Sequence, residues 1–335
     1  MKWSKIYPLS LLLAGTLILA ACGAEGDTET GAAEADGDSL SQDEAVVIEN
    51  NGEELTFEEA PQRAVTLNQH VTEVMLALGL EDHMAGTAYL DDGIHPDYKE
   101  AYESVPVLAD QYPSQEPFLN VEPDFAYAGW ESAFTEDNIG TFTQLLEYGI
   151  TPYLHESSSM VGPTLDDVYQ DITNIGQIFG VEDKAEELIS TMDQRIADVQ
   201  AQIDPDTDDP FKVFVYDSGE QEPMTGSQFF MTNLIEMAGG TNIFSDALDQ
   251  NWGNVSWEAV IEEDPEWIVI VDYGETTAEQ KKEFLLSYDA LESVTAIQEE
   301  NFVVVPLSAA AEGVRAPEAF ELMAEGFYPD IDDEN

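Results

Sequence analysis

Residues 165–203 carry apolar side chains at i, i+3 and i+4 spacing: Val168, Ile172, Ile175, Ile178, Phe179, Ala185, Leu188, Ile189, Met192, Ile196 and Val199. The spacing predicts one long helix, with Gly180 marking a break or kink in it and the Asp204-Pro205-Asp206 cluster stopping it. A helix of that length in mid-chain divides the sequence into two flanks. Both flanks repeat the same rhythm of a short apolar strand and then a helix.

On the amino-terminal side, strands are expected at 64–67, 85–88, 125–128 and 150–154, with helices at 71–80 and 138–148. On the carboxyl-terminal side the order is strand 212–216, helix 229–238, strand 267–271, helix 278–287, strand 302–306 and helix 317–327. Such alternation predicts an α/β fold of two Rossmann-like lobes with mainly parallel sheets, joined by a single long backbone helix, with a ligand groove between the lobes. Ahead of the first lobe, Asn51-Gly52 between two β-prone runs signals a hairpin with a type I′ turn. The expected divisions are 44–163 for the first lobe, 164–204 for the bridge and 205–335 for the second lobe.

The sequence has 10 basic and 70 acidic residues, a formal charge of −60 at pH 7. Nucleic acid and anionic membrane are poor partners for such a chain. The acids are dispersed, as at Glu53, Glu54, Glu58, Glu59 and again at Glu262, Glu263, Asp264, which reads as a solvated acidic surface rather than an acidic tail. Self-repulsion on this scale is best tolerated where salt screens it, since the Debye length falls to about 3 Å at 1 M. A halophilic, salt-adapted source is therefore expected.

Lys2 and Lys5 precede an apolar run of 11 residues, 11–21, which ends at Cys22, the single cysteine. The run is short of the roughly 20 apolar residues that span a bilayer, and it has the order of regions of a secretory signal. Leu19-Ala20-Ala21-Cys22 resembles the lipobox of bacterial lipoproteins. That resemblance implies removal of residues 1–21, acylation of Cys22 and an extracytoplasmic protein held to the cell membrane by lipid alone. Eight basic residues would then face 70 acids, a formal charge of −62. No thiol would remain for a disulfide, a metal or a nucleophile. Residues 22–43, nearly devoid of large apolar side chains, read as a disordered tether.

Several segments together carry a wider resemblance. RAVTLNQHVTEVMLALGLEDHMAGTA, VEPDFAYAGW, DITNIGQIFGVEDKAEELI, MTGSQFFMTNLIEMAGGTNIFSD and WGNVSWEAVIEEDPEWIVIV are similar, in order and spacing, to the iron-complex and vitamin B12 solute-binding proteins of ABC importers. The resemblance implies two rigid, helix-bridged lobes and a monomer that delivers a small-molecule metal chelate to a permease and its ATPase. It also implies an acidic docking side chain on each lobe: Glu258 on the second, and Glu136 or Asp137 on the first. A helix-dipole role is the other account of Glu258.

The groove of such a fold is lined from loops at the carboxyl ends of strands: 89–95, 130–134, 224–227 and 309–315. Tyr89 and Met224 fall in these loops. Trp130 and Trp252 match positions where relatives set an aromatic against the ligand, with ordinary packing as the alternative; Trp257 and Trp267 read as core. Arg315 stands where several relatives carry an arginine facing the ligand, with a surface ion pair as its alternative. One groove arginine argues against a highly anionic catecholate and for a neutral or cationic ligand, a hydroxamate siderophore or a corrinoid.

A bare Zn or Mn ion is a further alternative that the resemblance implies, since related helix-bridged receptors bind such ions with three His and a carboxylate, and His70 and His155 come just after strands, where such ligands would sit. No histidine occurs after His155, however, which leaves a poor ligand set for a soft metal. His70 and His155 are read as groove or loop residues, and His83 as structural. No resident cofactor is expected. Neither G-x-S-x-G, a Walker loop nor G-x-G-x-x-G after a strand occurs, so an enzyme is not expected.

Overall fold

A computed structural model describes residues 45–203, 209–248, 250–329 and 331; the leader, Cys22 and the tether at 22–43 lie outside the described residues. Asn51 and Gly52 have φ of 52° and 77°, the left-handed pair that a type I′ turn requires. They join β1 (Val46–Asn50) to β2 (Glu53–Phe57) in an antiparallel hairpin with Asn50 opposite Glu53. Ile48, Leu55 and Phe57 are buried, and the Asn50 amide pins the hairpin by donating to the Leu154 carbonyl and accepting from the Leu154 amide, both at 2.8 Å.

The first lobe runs β3 (Ala64–Leu67), α1 (Gln69–Ala77), β4 (Met84–Ala88), α2 (Lys99–Ser104), β5 (Val107–Ala109), α3 (Gln115–Asn120), β6 (Phe125–Ala128), α4 (Phe142–Glu147) and β7 (Thr151–Leu154). Its five strands are parallel, in the order β5-β4-β3-β6-β7. β3 and β6 are buried at every residue, which is why they read as unbroken apolar runs rather than alternating ones. The helix expected at 138–148 is confined to α4: Gly140 has φ of 114°, and Thr141 caps the helix reciprocally with Gln144. β5, three residues long with Val107 exposed, left no periodicity to find.

The bridge is two helices, not one: α5 (Leu165–Phe179) and α6 (Glu182–Gln200). Gly180, at φ 67° and ψ 36°, ends α5 in the left-handed conformation, and the chain resumes as a helix two residues later. Apolar periodicity continues across the break because both helices face one core, which contains Ile175, Ile178, Ala185, Met192 and Ile196.

The second lobe runs β8 (Phe211–Tyr216), β9 (Met224–Gly226), α7 (Phe230–Met237), β10 (Gly240–Asn242), β11 (Trp252–Asn254), α8 (Trp257–Glu263), β12 (Trp267–Asp272), α9 (Ala278–Ser287), α10 (Thr295–Gln298), β13 (Phe302–Pro306), α11 (Leu307–Ala310) and α12 (Ala316–Phe327). β10-β8-β12-β13 form a four-stranded parallel sheet. β9 and β11 form a separate antiparallel ribbon. Val71 and Phe125 of the first lobe share a core cluster with Val215, Leu234 and Phe320 of the second. Among the described residues no helix is long and apolar enough to cross a membrane.

Candidate functional site

Both sheets are parallel, so in each lobe the loops at the strands' carboxyl ends gather along one edge. In the first lobe Asn68, after β3, and Tyr89, after β4, have φ of 97° and 62°; such strain in non-glycine residues concentrates at sites where the surroundings over-determine the backbone. The Tyr89 ring meets Tyr112 edge-on at 4.6 Å. The Tyr112 hydroxyl donates to Asn68 Oδ1 at 2.9 Å and lies 3.1 Å from Ser132 Oγ. Trp130, half-buried after β6, tilts against His70 at 4.9 Å.

The second lobe places Asp217 after β8 and Tyr273 after β12. The Tyr273 and Ser218 hydroxyls donate to Asp217 Oδ1 at 2.7 and 2.8 Å, and Met224 Sδ is 3.9 Å from Ser218 Oγ. The Lys281 ammonium lies 4.5 Å over the Tyr273 ring and donates to the Val271 carbonyl at 2.6 Å. Across the lobes, Tyr273 feels the field of Asp91. The Asp91 carboxyl is pushed up to about 6 by burial, and then by the like charge of Asp92. Asn68, Asp91, Tyr112, Asp217 and Tyr273 were not singled out from the sequence, although Asn68, Asp217 and Tyr273 each come directly after a strand.

Arg315 is neither a surface ion pair nor a free groove donor. It is buried, and its guanidinium donates from Nε to Glu73 Oε2 at 2.7 Å, from Nη2 to Glu73 Oε1 at 2.5 Å and to the Gly93 carbonyl at 2.9 Å, and from Nη1 to Ser308 Oγ at 3.1 Å. The rare cation was legible in the sequence, but its partner lies 242 residues away.

His70, in the first turn of α1, and His155, directly after β7, are buried where the lobes meet rather than presented by open loops. Gly129 and Gly313 close over His70: a Cβ on Gly129 would collide with His70 Cε1, and one on Gly313 would stand 3.0 Å from His70 Cβ. His155 Nδ1 is 2.6 Å from the Tyr127 hydroxyl and Nε2 is 3.6 Å from Asp171 Oδ2, an arrangement that suits a neutral ring taking the phenolic proton at Nδ1. Burial drives His155 down to about 3, and His70 well below its ordinary range through burial and then His155. Glu312, beside Ser158, is pushed up to about 7 and Asp171 to about 6, both by desolvation. Among the described residues no group of three or more His, Cys, Asp or Glu is placed to hold a metal ion. His83 bonds the Pro61 carbonyl at 2.7 Å and packs edge-on against Phe179.

Trp252 lies in β11, half-buried against Phe229 at 4.6 Å. Glu258 is exposed in the first turn of α8, which Ser256 caps and which Trp257 anchors by donating to the Glu220 carbonyl at 2.9 Å. Glu136 and Asp137 are exposed in the loop after Trp130. Trp257 is core, and Trp267 packs edge-on against Phe327 at 5.3 Å.

The family described as periplasmic binding protein matches residues 65–309. YvrC of Bacillus subtilis (strain 168), an uncharacterized ABC transporter substrate-binding lipoprotein, is 25% identical over 322 residues, 95% of this chain and 96% of that one. The cobalamin-binding protein of Halobacterium salinarum (strain ATCC 29341 / DSM 671 / R1) is 26% identical over 219 residues, 64% of this chain and 55% of that one. Among solved structures, a periplasmic binding protein from Veillonella parvula dsm 2008 is similar with a TM-score of 0.78 and 33% identity, covering 85% of this chain and 98% of that one.

Proposed function

The chain belongs to the periplasmic binding protein family, and from that premise we propose that it is the extracytoplasmic, lipid-anchored receptor of an ABC importer. It captures a ferric siderophore of hydroxamate type or a similar bulky chelate and hands it to the permease. It performs no chemistry on the ligand. The supporting observation is the charge of the strand-end loops: Arg315 commits its donors to Glu73, Ser308 and Gly93, while Asp91, Asp92 and Asp217 stand at the strand ends. A polyanion placed there would be desolvated against carboxylates, with Arg315 already committed and the nearby Lys281 ammonium buried on the Val271 carbonyl and the Tyr273 ring, whereas a neutral or cationic chelate meets aromatic faces and acceptors.

A corrinoid is the second reading, favoured by the name of the halobacterial relative. Both readings meet in one titration: the intrinsic tryptophan fluorescence of the purified protein in high salt, against ferric hydroxamates, cyanocobalamin, haem and ferric citrate. Saturable one-to-one quenching by a hydroxamate or by cobalamin, with none by ferric citrate, is expected. Trp130→Ala and Trp252→Ala should weaken it without unfolding the chain. Silence toward every chelate together with a response to Zn²⁺ or Mn²⁺ would sink the proposal. Glu258→Ala should bind as well as the parent but fail to support uptake; normal uptake would remove Glu258 from the docking surface and leave its helix-dipole role.

A further inference from the structure

Glu73 is a fully buried carboxylate on α1, and its bonds do more than neutralise Arg315. Oε1 also accepts from the His95 amide at 2.9 Å and from Gln69 Nε2 at 3.2 Å. Gln69, equally buried, accepts the Asp91 and Asp92 amides on its Oε1 at 3.1 and 2.9 Å, and donates to Asp92 Oδ1 and to the Gly93 carbonyl, both at 3.0 Å. The Gly93 carbonyl in turn receives Arg315 Nη2 at 2.9 Å. One carboxylate thus joins an arginine of the second lobe to the backbone at both ends of the 91–95 loop, directly at His95 and through Gln69 at Asp91.

We infer that Glu73 is the positioning residue of the groove: through Gln69 and Arg315 it holds the Asp91–Asp92 wall at a fixed offset from the second lobe, so that ligand fit and lobe geometry are set by one buried hub. The inference rests on the receptor function proposed above for the existence of a ligand, but not for the loop geometry. Burial alone is a weak reason for such a hub, because apolar residues of similar volume replace a buried ion pair at little cost or with a gain in stability. What an apolar pair cannot replace is the acceptor for the His95 amide and the tie from the second lobe to the Gly93 carbonyl, which Gln69, on the same lobe as the loop, would then hold alone. Glu73 and Arg315 thus have a second duty that hydrophobic substitutes cannot perform.

That asymmetry supplies the test. In the double variant Glu73→Leu/Arg315→Met, thermal melting, amide exchange and binding of cyanocobalamin or ferrioxamine B are compared with the parent. Melting at or near the parent temperature is expected, together with exchange of the Asp91, Asp92 and His95 amides faster by about tenfold or more, while the β3 amides stay protected. Whichever probe binds the parent should bind the variant at least about tenfold more weakly, a coupling of ordinary size. Parent-like exchange at these three amides in the folded variant would overturn the inference, since a merely structural pair is then enough. Should the double variant not fold, Arg315→Lys keeps the charge but loses the fork to Glu73 and with it the Nη2 bond to the Gly93 carbonyl, and parent-like loop exchange there is equally fatal. If neither probe binds the parent, those probes count against the receptor proposal, while amide exchange still decides the role of Glu73.

Discussion

Glu73 and Arg315 meet across the lobes as a fully bonded ion pair, whereas Glu312, three residues from Arg315, meets the first lobe as a carboxyl that burial holds protonated up to about pH 7. Both contacts are buried. The difference lies in partners. Arg315 and Glu73 together offer a planar fork to a planar carboxylate and fill the remaining sites with Gly93, Ser308, Gln69 and His95. Glu312 finds the Ser158 hydroxyl and the like charge of Asp171, and nearby His155 is driven neutral by desolvation. Charge survives in this junction only where its bonding is complete, and otherwise it is given up.

The largest expected effect breaks the complete pair from one side. Glu73→Ala leaves a guanidinium buried without its counter-charge, which costs about 3–5 kcal/mol, read as a lowered denaturation midpoint. A loss under about 1 kcal/mol would mean that the arginine escapes to water and that the pair is not the lock its bonding describes.

Glu312→Gln comes next, and its sign is opposite. The carboxyl is raised from an ordinary 4.5 to about 7, so between those values the folded state holds a proton that the unfolded state has lost. Stability therefore falls as pH climbs from 4.5 to 7 and stays low above it. At 1.36 kcal/mol per unit, the amide variant should match the parent near pH 4.5 and exceed it by on the order of 3 kcal/mol at pH 8. Asp171, raised to about 6, tilts the parent in the same direction at lower pH, while His155, lowered to about 3, opposes it below pH 6.5. The clean window is therefore pH 6.5–8. Equal stability of variant and parent at pH 8 would show that Glu312 is solvated.

Legibility in the sequence divides along a similar line, between local patterns and distant partners. The fold was legible where information is local: Asn51-Gly52 for the hairpin, apolar runs for β3 and β6, and i, i+3, i+4 spacing through both bridging helices. Gly180 was visible as a glycine, but the break needed its φ of 67°. Trp130 could be placed because it comes just after a strand. The partner of Arg315 could not, because 242 residues separate it from Glu73 and no periodicity links one acid among 70 to one arginine. His155 does follow β7 directly, but His70, read as a groove or loop residue, lies in the first turn of α1, and Gly129 and Gly313, the latter from the other lobe, pack against it.

The smallest effect sharpens the comparison by keeping the chemistry and changing the surroundings. Arg195 on α6 offers Glu321 on α12 the same fork as Arg315 offers Glu73, at 3.0 and 2.7 Å, but the two side chains are 45% and 31% exposed. Water and salt then do much of what the partner does, so breaking the pair should cost only about 0.2–1 kcal/mol. The two halves should not cost the same. Arg195→Gln removes one of 10 basic residues from a chain of formal charge −60, whereas Glu321→Gln removes one of 70 acids and relieves repulsion. Arg195→Gln should therefore destabilise more than Glu321→Gln, and the gap should close as NaCl is raised toward 1 M, where the Debye length is about 3 Å. The parent should itself melt at higher temperature as salt is added, while the cost of Glu73→Ala, buried beyond the reach of ions, stays constant. A salt-independent gap between the two surface variants would mean that the acidic surface is not strained by its own charge, and a parent melting temperature indifferent to NaCl would remove the case for a salt-adapted protein.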